Sequence, residues 1–290
     1  MARNTSGSHT SATDARARAR QIQEQQRKKD GRRRTAVIWG SVLAAILVIG
    51  LIVAFVLNRG GDEPAAAGPI PAAANEQGGI ELTSATTLAE GVGAREVDAS
   101  TVEVPEQGAA QQPETIPAAE APAEGEPSEI VLYADFNCVH CADFETSNAA
   151  QIEQWLEAGE VTVEYRMVDF LSAPNNQNYS ARAANAAYCV ADQKPEAYNG
   201  FVTALFGTYQ EHGGKGIDNA ALTQLAQDNG ADIASCVEDG TFRSAVEHTT
   251  RQAQAAGVGG TPTVFMDGEN WAYGGPDQSF QEWAQSKISG

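Results

Sequence analysis

Two cysteines separated by two residues carry the most specific chemical signal in this sequence of 290 residues. The tetrapeptide Cys138-Val139-His140-Cys141 follows an apolar run, Ile130 to Ala134, that predicts a buried strand. A run with helical spacing follows it, from Phe144 to Leu156. At such a junction the free amides of the first helical turn point at the first sulfur, and the helix dipole favours its anionic form. Because the thiolate is the nucleophile in disulfide exchange, we predict a redox-active pair in which Cys138 attacks and Cys141 resolves.

The residue between the cysteines supports redox chemistry. His140 occupies the first helical turn, where an imidazole can hydrogen-bond to the Cys138 thiolate. Stabilising the ionised, reduced form makes the disulfide form a stronger oxidant. Two plainer interpretations of the tetrapeptide stay open: half of a zinc site, or two buried cysteines. Zinc needs about four ligands, and no second C-x-x-C or matching histidine pair follows in the sequence, so we expect no metal.

A second motif lies more than a hundred residues further on. The stretch Gly257 to Phe265 places Thr261-Pro262 directly before an apolar strand. A proline that opens a strand has no N–H to donate and can adopt the cis peptide bond. This stretch resembles the cis-proline loop of DsbA-like thioredoxin-fold oxidoreductases, and the run from Tyr133 to Cys138 resembles their membrane-anchored actinobacterial members. The resemblance covers about residues 128–290.

The resemblance implies a thioredoxin-like α/β fold with a DsbA-type helical subdomain inserted at about residues 175–256. It also implies that the Thr261-Pro262 loop faces the C-x-x-C motif, with Thr261 supplying backbone contacts to a substrate peptide. No metal or organic cofactor is expected.

The chain departs from the family pattern at two positions near the motif. Val139 stands where DsbA itself has proline. Leu132 stands where the family often has a buried acid, six residues before the first cysteine. Asp135 is the nearest replacement for that acid, although a solvated or capping aspartate is the plainer interpretation.

Local patterns within residues 128–290 agree with this fold. The alternating, β-branched run Val161 to Met167 predicts a strand. Asp218 predicts a helix N-cap, and the pair Ser279 and Glu282 predicts a capping box on the last helix.

Cys189 and Cys236 remain once the C-x-x-C pair is set aside. In an oxidising compartment, two remaining cysteines in inserted helices predict a structural disulfide, and related actinobacterial proteins carry a similar second bridge. Two separate buried thiols are the alternative. Four cysteines allow three pairings, and the proximity of Cys138 to Cys141 favours this one.

The N-terminal part of the chain predicts a membrane anchor. Residues 1–35 contain ten Lys and Arg residues against three acidic residues, within a net charge of −19 for the whole chain. This short polar arm has almost no apolar residues and predicts a disordered cytoplasmic segment, not a nucleic-acid binder. Residues 36–57 are uncharged and long enough for a single transmembrane helix. The positive-inside rule then places the C-terminal domain outside the membrane. A cleaved signal peptide is the rival interpretation, but its apolar region is usually shorter.

Residues 58–127 are rich in Pro, Ala, Gly and Glu, and predict an extended, mostly disordered linker. Gly79 to Thr83 is the exception, because it can form a short strand at the edge of the folded domain. Residues 128–290 then form the thioredoxin-like domain.

Together these features predict an extracytoplasmic thiol:disulfide oxidoreductase that donates disulfides to unfolded exported proteins with free thiols. Family analogy implies a quinone-linked membrane partner, DsbB- or VKOR-like, that reoxidises the pair. A reductase or isomerase of the same fold would use the same residues. A tethered binding or metal-chaperone domain without catalysis is the remaining alternative.

Overall fold

The structure is a computed structural model that describes residues 66–105, 113–119, 122–123, 125–271 and 278–289. The predicted cytoplasmic arm, 1–35, and the predicted anchor, 36–57, lie outside the described residues. In the part of the chain that is described, no helix is both long and apolar enough to cross a membrane.

The described strands form two sheets. They are β1 (Ala67–Ile70), β2 (Ile80–Ser84), β3 (Thr87–Leu88), β4 (Arg95–Asp98), β5 (Ser128–Ala134), β6 (Val161–Met167), β7 (Thr263–Met266) and β8 (Glu269–Trp271). One sheet has six strands in the order β3-β2-β6-β5-β7-β8, and β1 pairs with β4 in a small separate ribbon. Strands β5 and β6 are parallel, whereas β7 runs antiparallel to β5.

The helices include the predicted insertion between β6 and β7. They are α1 (Val139–Ala158), α2 (Tyr179–Gln193), α3 (Tyr198–Gly207), α4 (Tyr209–His212), α5 (Asn219–Asp228), α6 (Ala234–Asp239), α7 (Arg243–Ala255) and α8 (Phe280–Ile288). Short 3-10 turns lie at Ala99–Thr101, Pro174–Asn176 and Pro195–Ala197. The architecture is therefore the expected thioredoxin-like α/β fold with a helical insertion, and α2 to α7 fill the predicted range.

Strand β5 explains why its sequence is a continuous apolar run. Alternate side chains of a strand point to opposite faces, and both faces of β5 are covered. Ile130 and Leu132 belong to the larger core, which includes α1 and the inserted helices. Val131 and Tyr133 belong to a second core with Phe265 on the other face. Central, doubly covered strands carry such runs.

The predicted second disulfide is confirmed. Cys189 on α2 is bonded to Cys236 on α6, with the Cα atoms 6.0 Å apart and a sequence separation of 47. The bond joins two helices of the insertion. In the chain-entropy treatment, closing a loop of this size stabilises the fold by about 3–4 kcal/mol.

The prediction of an extended linker over residues 58–127 is wrong for residues 66–105 and 113–119. Strand β2 pairs with β6, which confirms the strand expected at Gly79 to Thr83. Ribbon β1–β4 packs against α7. The linker composition masks a few well-spaced apolar side chains that are buried in the core, namely Ile70, Ile80, Leu82 and Val97.

Residues 113–119 cover the second face of the sheet. Ile116 and Ala119 pack into the smaller core with Val131, Tyr133 and Phe265. This segment lies N-terminal to residue 128, so the folded domain extends well before the predicted boundary. Without it, apolar side chains of the central strand would face water.

A buried ion pair fastens the same segment to the sheet. Arg166 on β6 donates from Nε to Glu164 Oε1 at 2.6 Å, and both side chains are essentially inaccessible. The guanidinium also donates to the carbonyl oxygens of Pro117 and Ala118, and to the Tyr133 hydroxyl at 2.7 Å. The planar guanidinium group has five N–H donors, so it can bond to the carboxylate, the two carbonyl oxygens and the hydroxyl group at the same time.

Replacing Arg166 by methionine should destabilise the protein, because it leaves the Glu164 carboxylate buried without its cation. We expect a loss of about 3–5 kcal/mol in the free energy of unfolding, measured by urea denaturation. The double variant Glu164→Gln/Arg166→Met removes the charge as well and should recover part of the loss. A loss below about 1 kcal/mol in the single variant would show that the pair does not hold the segment.

Candidate active site

The C-x-x-C motif begins in the short loop that connects β5 to α1 and continues into the first turn of α1. Cys138 is the N-cap residue of α1, with extended backbone dihedrals, φ −91° and ψ 120°. Helix α1 begins at Val139, so the free backbone amides of its first turn lie next to Cys138, as predicted. Both Cys138 and Cys141 are free thiols, and each side chain is largely buried.

Asp135 shapes the loop that ends β5. Its carboxylate accepts the backbone N–H of Asn137 at 2.8 Å and that of Leu171 at 2.9 Å. Its backbone carbonyl accepts the N–H of Cys138 at 3.0 Å. The side chain is completely buried, so the interpretation as a solvated aspartate is wrong. Burial raises the pKa of this carboxyl to about 7, although the two amide donors act in the opposite direction.

The Cys138 thiol is acidic. Its pKa falls to about 6, chiefly because the Cys141 thiol donates a hydrogen bond to the Cys138 sulfur. Burial opposes this shift, and the Thr261 side chain and the backbone amides of Cys141 and His140 add to it. Each of these donors stabilises the thiolate over the thiol. Most Cys138 is therefore ionised at neutral pH.

Cys141 has the opposite character. Burial raises its pKa well above that of an ordinary thiol, and the neighbouring Cys138 raises it further. At neutral pH this sulfur therefore keeps its proton. The two thiols lie one helical turn apart but differ in charge state. Cys138 is the N-cap residue of α1 and has hydrogen-bond donors around its sulfur, whereas Cys141 is buried within the first turn.

The Thr261-Pro262 loop faces this pair. The Thr261–Pro262 peptide bond is cis, as the sequence predicted. The Cys138 thiol lies 3.3 Å from the Thr261 carbonyl oxygen, to which it donates when protonated. The loop reaches the sulfur because β5 and β7 are paired in a register that sets Tyr133 opposite Thr263. Thr263 Oγ1 donates to the Gly260 carbonyl at 2.8 Å and closes the loop on itself.

His140 is exposed at the start of α1. The structure shows its backbone amide among the groups that stabilise the Cys138 thiolate. The role predicted for its imidazole stays a prediction.

The predicted site residues therefore come together as one cluster. Cys141, the backbone amide of His140 and Thr261 lie at the Cys138 sulfur, and Pro262 follows Thr261 across the cis peptide bond. The remaining pair, Cys189 and Cys236, forms the disulfide that joins two helices of the insertion. In the described residues, no group of three or more His, Cys, Asp or Glu side chains is arranged to hold a metal ion.

Sequence reasoning missed the contacts that tie this site to the insertion. Asn137 donates from Nδ2 to the Gly214 carbonyl at 3.1 Å. Phe136 packs on Phe206 of α3, with ring centroids 4.6 Å apart. Closely spaced glycines such as those around Gly214 are typical of a tight loop, but nothing in the local sequence indicates which part of the chain this loop contacts.

Solved structures with this arrangement of elements include two from Mycobacterium tuberculosis. The reduced form of the disulfide bond oxidoreductase DsbG is 32% identical, covering 60% of this chain and 84% of that one, with a TM-score of 0.50. Reduced DsbA is 31% identical, covering 60% and 89%, also with a TM-score of 0.50. With the paired thiols beside the cis-proline, these similarities define a DsbA-like protein disulfide oxidoreductase.

The family model described as Thioredoxin matches residues 123–285. The chain belongs to this family. Among curated proteins, the serine/threonine-protein kinase PknE of Mycobacterium tuberculosis is 31% identical over 150 residues, which is 48% of this chain and 26% of the kinase. The chain thus spans about a quarter of the length of that relative.

The acidity of Cys138 can be measured directly. Thiolate absorbance of the reduced protein should rise with a midpoint at about pH 6. Since the folded pKa is depressed, the thiolate stabilises the reduced protein fully above the ordinary thiol pKa, and this stabilisation is lost as the pH falls through about 6. Thr261→Val removes one donor and should raise the midpoint, whereas Cys138→Ser should abolish the transition. A midpoint near the ordinary value of about 8.5 would contradict the geometry.

Proposed function

We propose that the protein is an extracytoplasmic thiol:disulfide oxidoreductase that donates disulfides to newly exported proteins through Cys138 and Cys141. The observation that carries the proposal is the contrast between the two sulfurs. Cys138 has a pKa lowered to about 6, while that of Cys141 is raised. Stabilising the thiolate stabilises the reduced pair, and this makes the disulfide form the better oxidant.

The first step begins from the Cys138–Cys141 disulfide. A thiolate of an unfolded substrate attacks the Cys138 sulfur. The Cys138–Cys141 bond breaks, and Cys141 leaves as a thiolate that takes up a proton because its burial disfavours the charge. The product is a mixed disulfide between Cys138 and the substrate. The Thr261 backbone, which lies against Cys138, supports the substrate strand in this complex.

The second step releases the product. A second substrate thiolate attacks the substrate sulfur of the mixed disulfide and expels Cys138. Its low pKa makes Cys138 a good leaving group. In total, the substrate dithiol loses two electrons and two protons. Both electrons remain on the cysteine pair, Cys141 keeps one proton, and the other enters solvent.

Turnover then requires an oxidant. We propose a quinone-linked membrane reoxidase, DsbB- or VKOR-like, which takes the two electrons and restores the disulfide. The proposal places the catalytic domain outside the cytoplasm, on an anchor at residues 36–57. It is supported by the uncharged composition of that segment and by the arginines that precede it.

Two cysteine variants test this mechanism. Cys138→Ser should abolish oxidation of a reduced, unfolded dithiol protein, because no attackable disulfide remains. In Cys141→Ala, the Cys138 thiolate attacks a disulfide of an exported protein and expels one substrate thiolate, and no Cys141 thiol is present to resolve the product, so mixed disulfides should accumulate as reducible adducts on non-reducing gels. The double variant Cys138→Ser/Cys141→Ala is the control and should form none. Full activity of Cys138→Ser would contradict disulfide transfer through Cys138, and a lack of oxidation by the unaltered protein would favour a binding domain without thiol chemistry.

A further inference from the structure

One short loop of the helical insertion reaches the active site. Gly213 to Gly216 follow α4, and the Gly214 carbonyl accepts the Asn137 side-chain N–H at 3.1 Å. Asn137 directly precedes Cys138. Lys215 is exposed at the centre of this loop. The hydrogen bond between Gly214, which precedes Lys215, and Asn137, which precedes Cys138, connects the two loops.

His212 holds the loop in this shape. Its Nδ1 accepts the N–H of Gly214 at 3.2 Å and that of Gly216 at 3.1 Å. Its carbonyl accepts the N–H of Lys215 at 3.1 Å. Three consecutive amides thus converge on one residue, which is itself buried between the rings of Tyr179 and Tyr209.

The glycines of the loop are required by its backbone. Gly213, Gly214 and Gly216 have φ values of +54°, +83° and +76°, a region that other residues adopt at a cost. A Cβ on Gly216 would also lie 2.2 Å from Cγ of Tyr179. The backbone conformation on either side of Lys215 therefore depends on these glycines.

The charge of Lys215 is unusual for its surroundings. Residues 66–290 carry eight Lys and Arg residues against thirty-three Asp and Glu residues, a net charge of −25. Five of these cations form ion pairs with carboxylates. Arg182 packs over the Tyr179 ring, and Arg243 interacts with Asp169. Within the described residues, no ion pair joins Lys215 to a carboxylate.

We propose that Lys215 is a specificity-determining residue that favours substrate segments with a carboxylate next to the reacting cysteine. The inference rests on the proposed disulfide-donor function. A domain of charge −25 repels acidic polypeptides and the attacking thiolate alike. One ammonium on the loop that is hydrogen-bonded to Asn137, the residue before Cys138, offsets this repulsion locally, since charges at the rim of an interface act mainly on the rate of association.

The test uses the oxidised protein and three dithiol peptides that differ only in the residue beside one cysteine: Glu, Gln or Lys. At low ionic strength the rate constant for oxidation should be about threefold higher for the Glu peptide than for the Gln peptide, as expected for one charge pair in water-like surroundings. Lys215→Gln should remove this difference. Lys215→Glu should reverse the order and favour the Lys peptide. About 0.5 M salt should level all the rates.

Lys194→Gln is the matched control, because Lys194 is also exposed but is paired with Glu196. It should leave the peptide preference unchanged. Equal rates for the three peptides with the unaltered protein, or an unchanged preference in Lys215→Glu, would overturn the inference while leaving disulfide donation intact. Failure to oxidise any of the peptides would defeat the proposed function itself.

Discussion

The structure depends on one electrostatic arrangement, in which the Cys141 thiol, the Thr261 side chain and the first backbone amides of α1 stabilise negative charge on the Cys138 sulfur. Cys138 caps the helix, and the hydrogen-bond donors around it outweigh its burial. Cys141, one turn further on, is too deeply buried to share that charge. The two side chains are chemically identical. Their pKa values differ because hydrogen-bond donors surround the Cys138 sulfur, whereas burial dominates at Cys141.

Other parts of the domain keep that sulfur in place. The pairing of β5 with β7 brings Thr261 to the Cys138 side chain. Buried Asp135 fixes the loop before the helix by accepting two backbone amides. The insertion contributes through Asn137 and Phe136, which contact the Gly214 loop and α3. Since all of these contacts except that between Asp135 and the Asn137 amide join elements far apart in sequence, the reactive loop is a product of the whole fold.

Features with a local cause were predictable from the sequence. Asp218 caps α5, and Ser279 and Glu282 form the capping box on α8, because each motif lies within four residues of its partner. The cysteine motif was recognised in the same way, whereas the position of the Thr261-Pro262 loop beside it was implied by the resemblance to DsbA-like oxidoreductases. Features with a distant cause were not predictable. Asp135 is buried because its carboxylate meets an amide 36 residues away. Residues 66–119 were predicted to be part of a linker because their overall composition is typical of one. The few apolar side chains that enter the core are too sparse to change that composition.

The reduction potential of the Cys138–Cys141 pair, measured by equilibration with glutathione, tests the central claim most directly. If the amide turn and its neighbours stabilise the Cys138 thiolate, the pair should be clearly more oxidising than thioredoxin and lie towards the DsbA value of about −120 mV. A potential at or below about −270 mV, the thioredoxin value, would show that the reduced form gains no such stabilisation and would contradict the account.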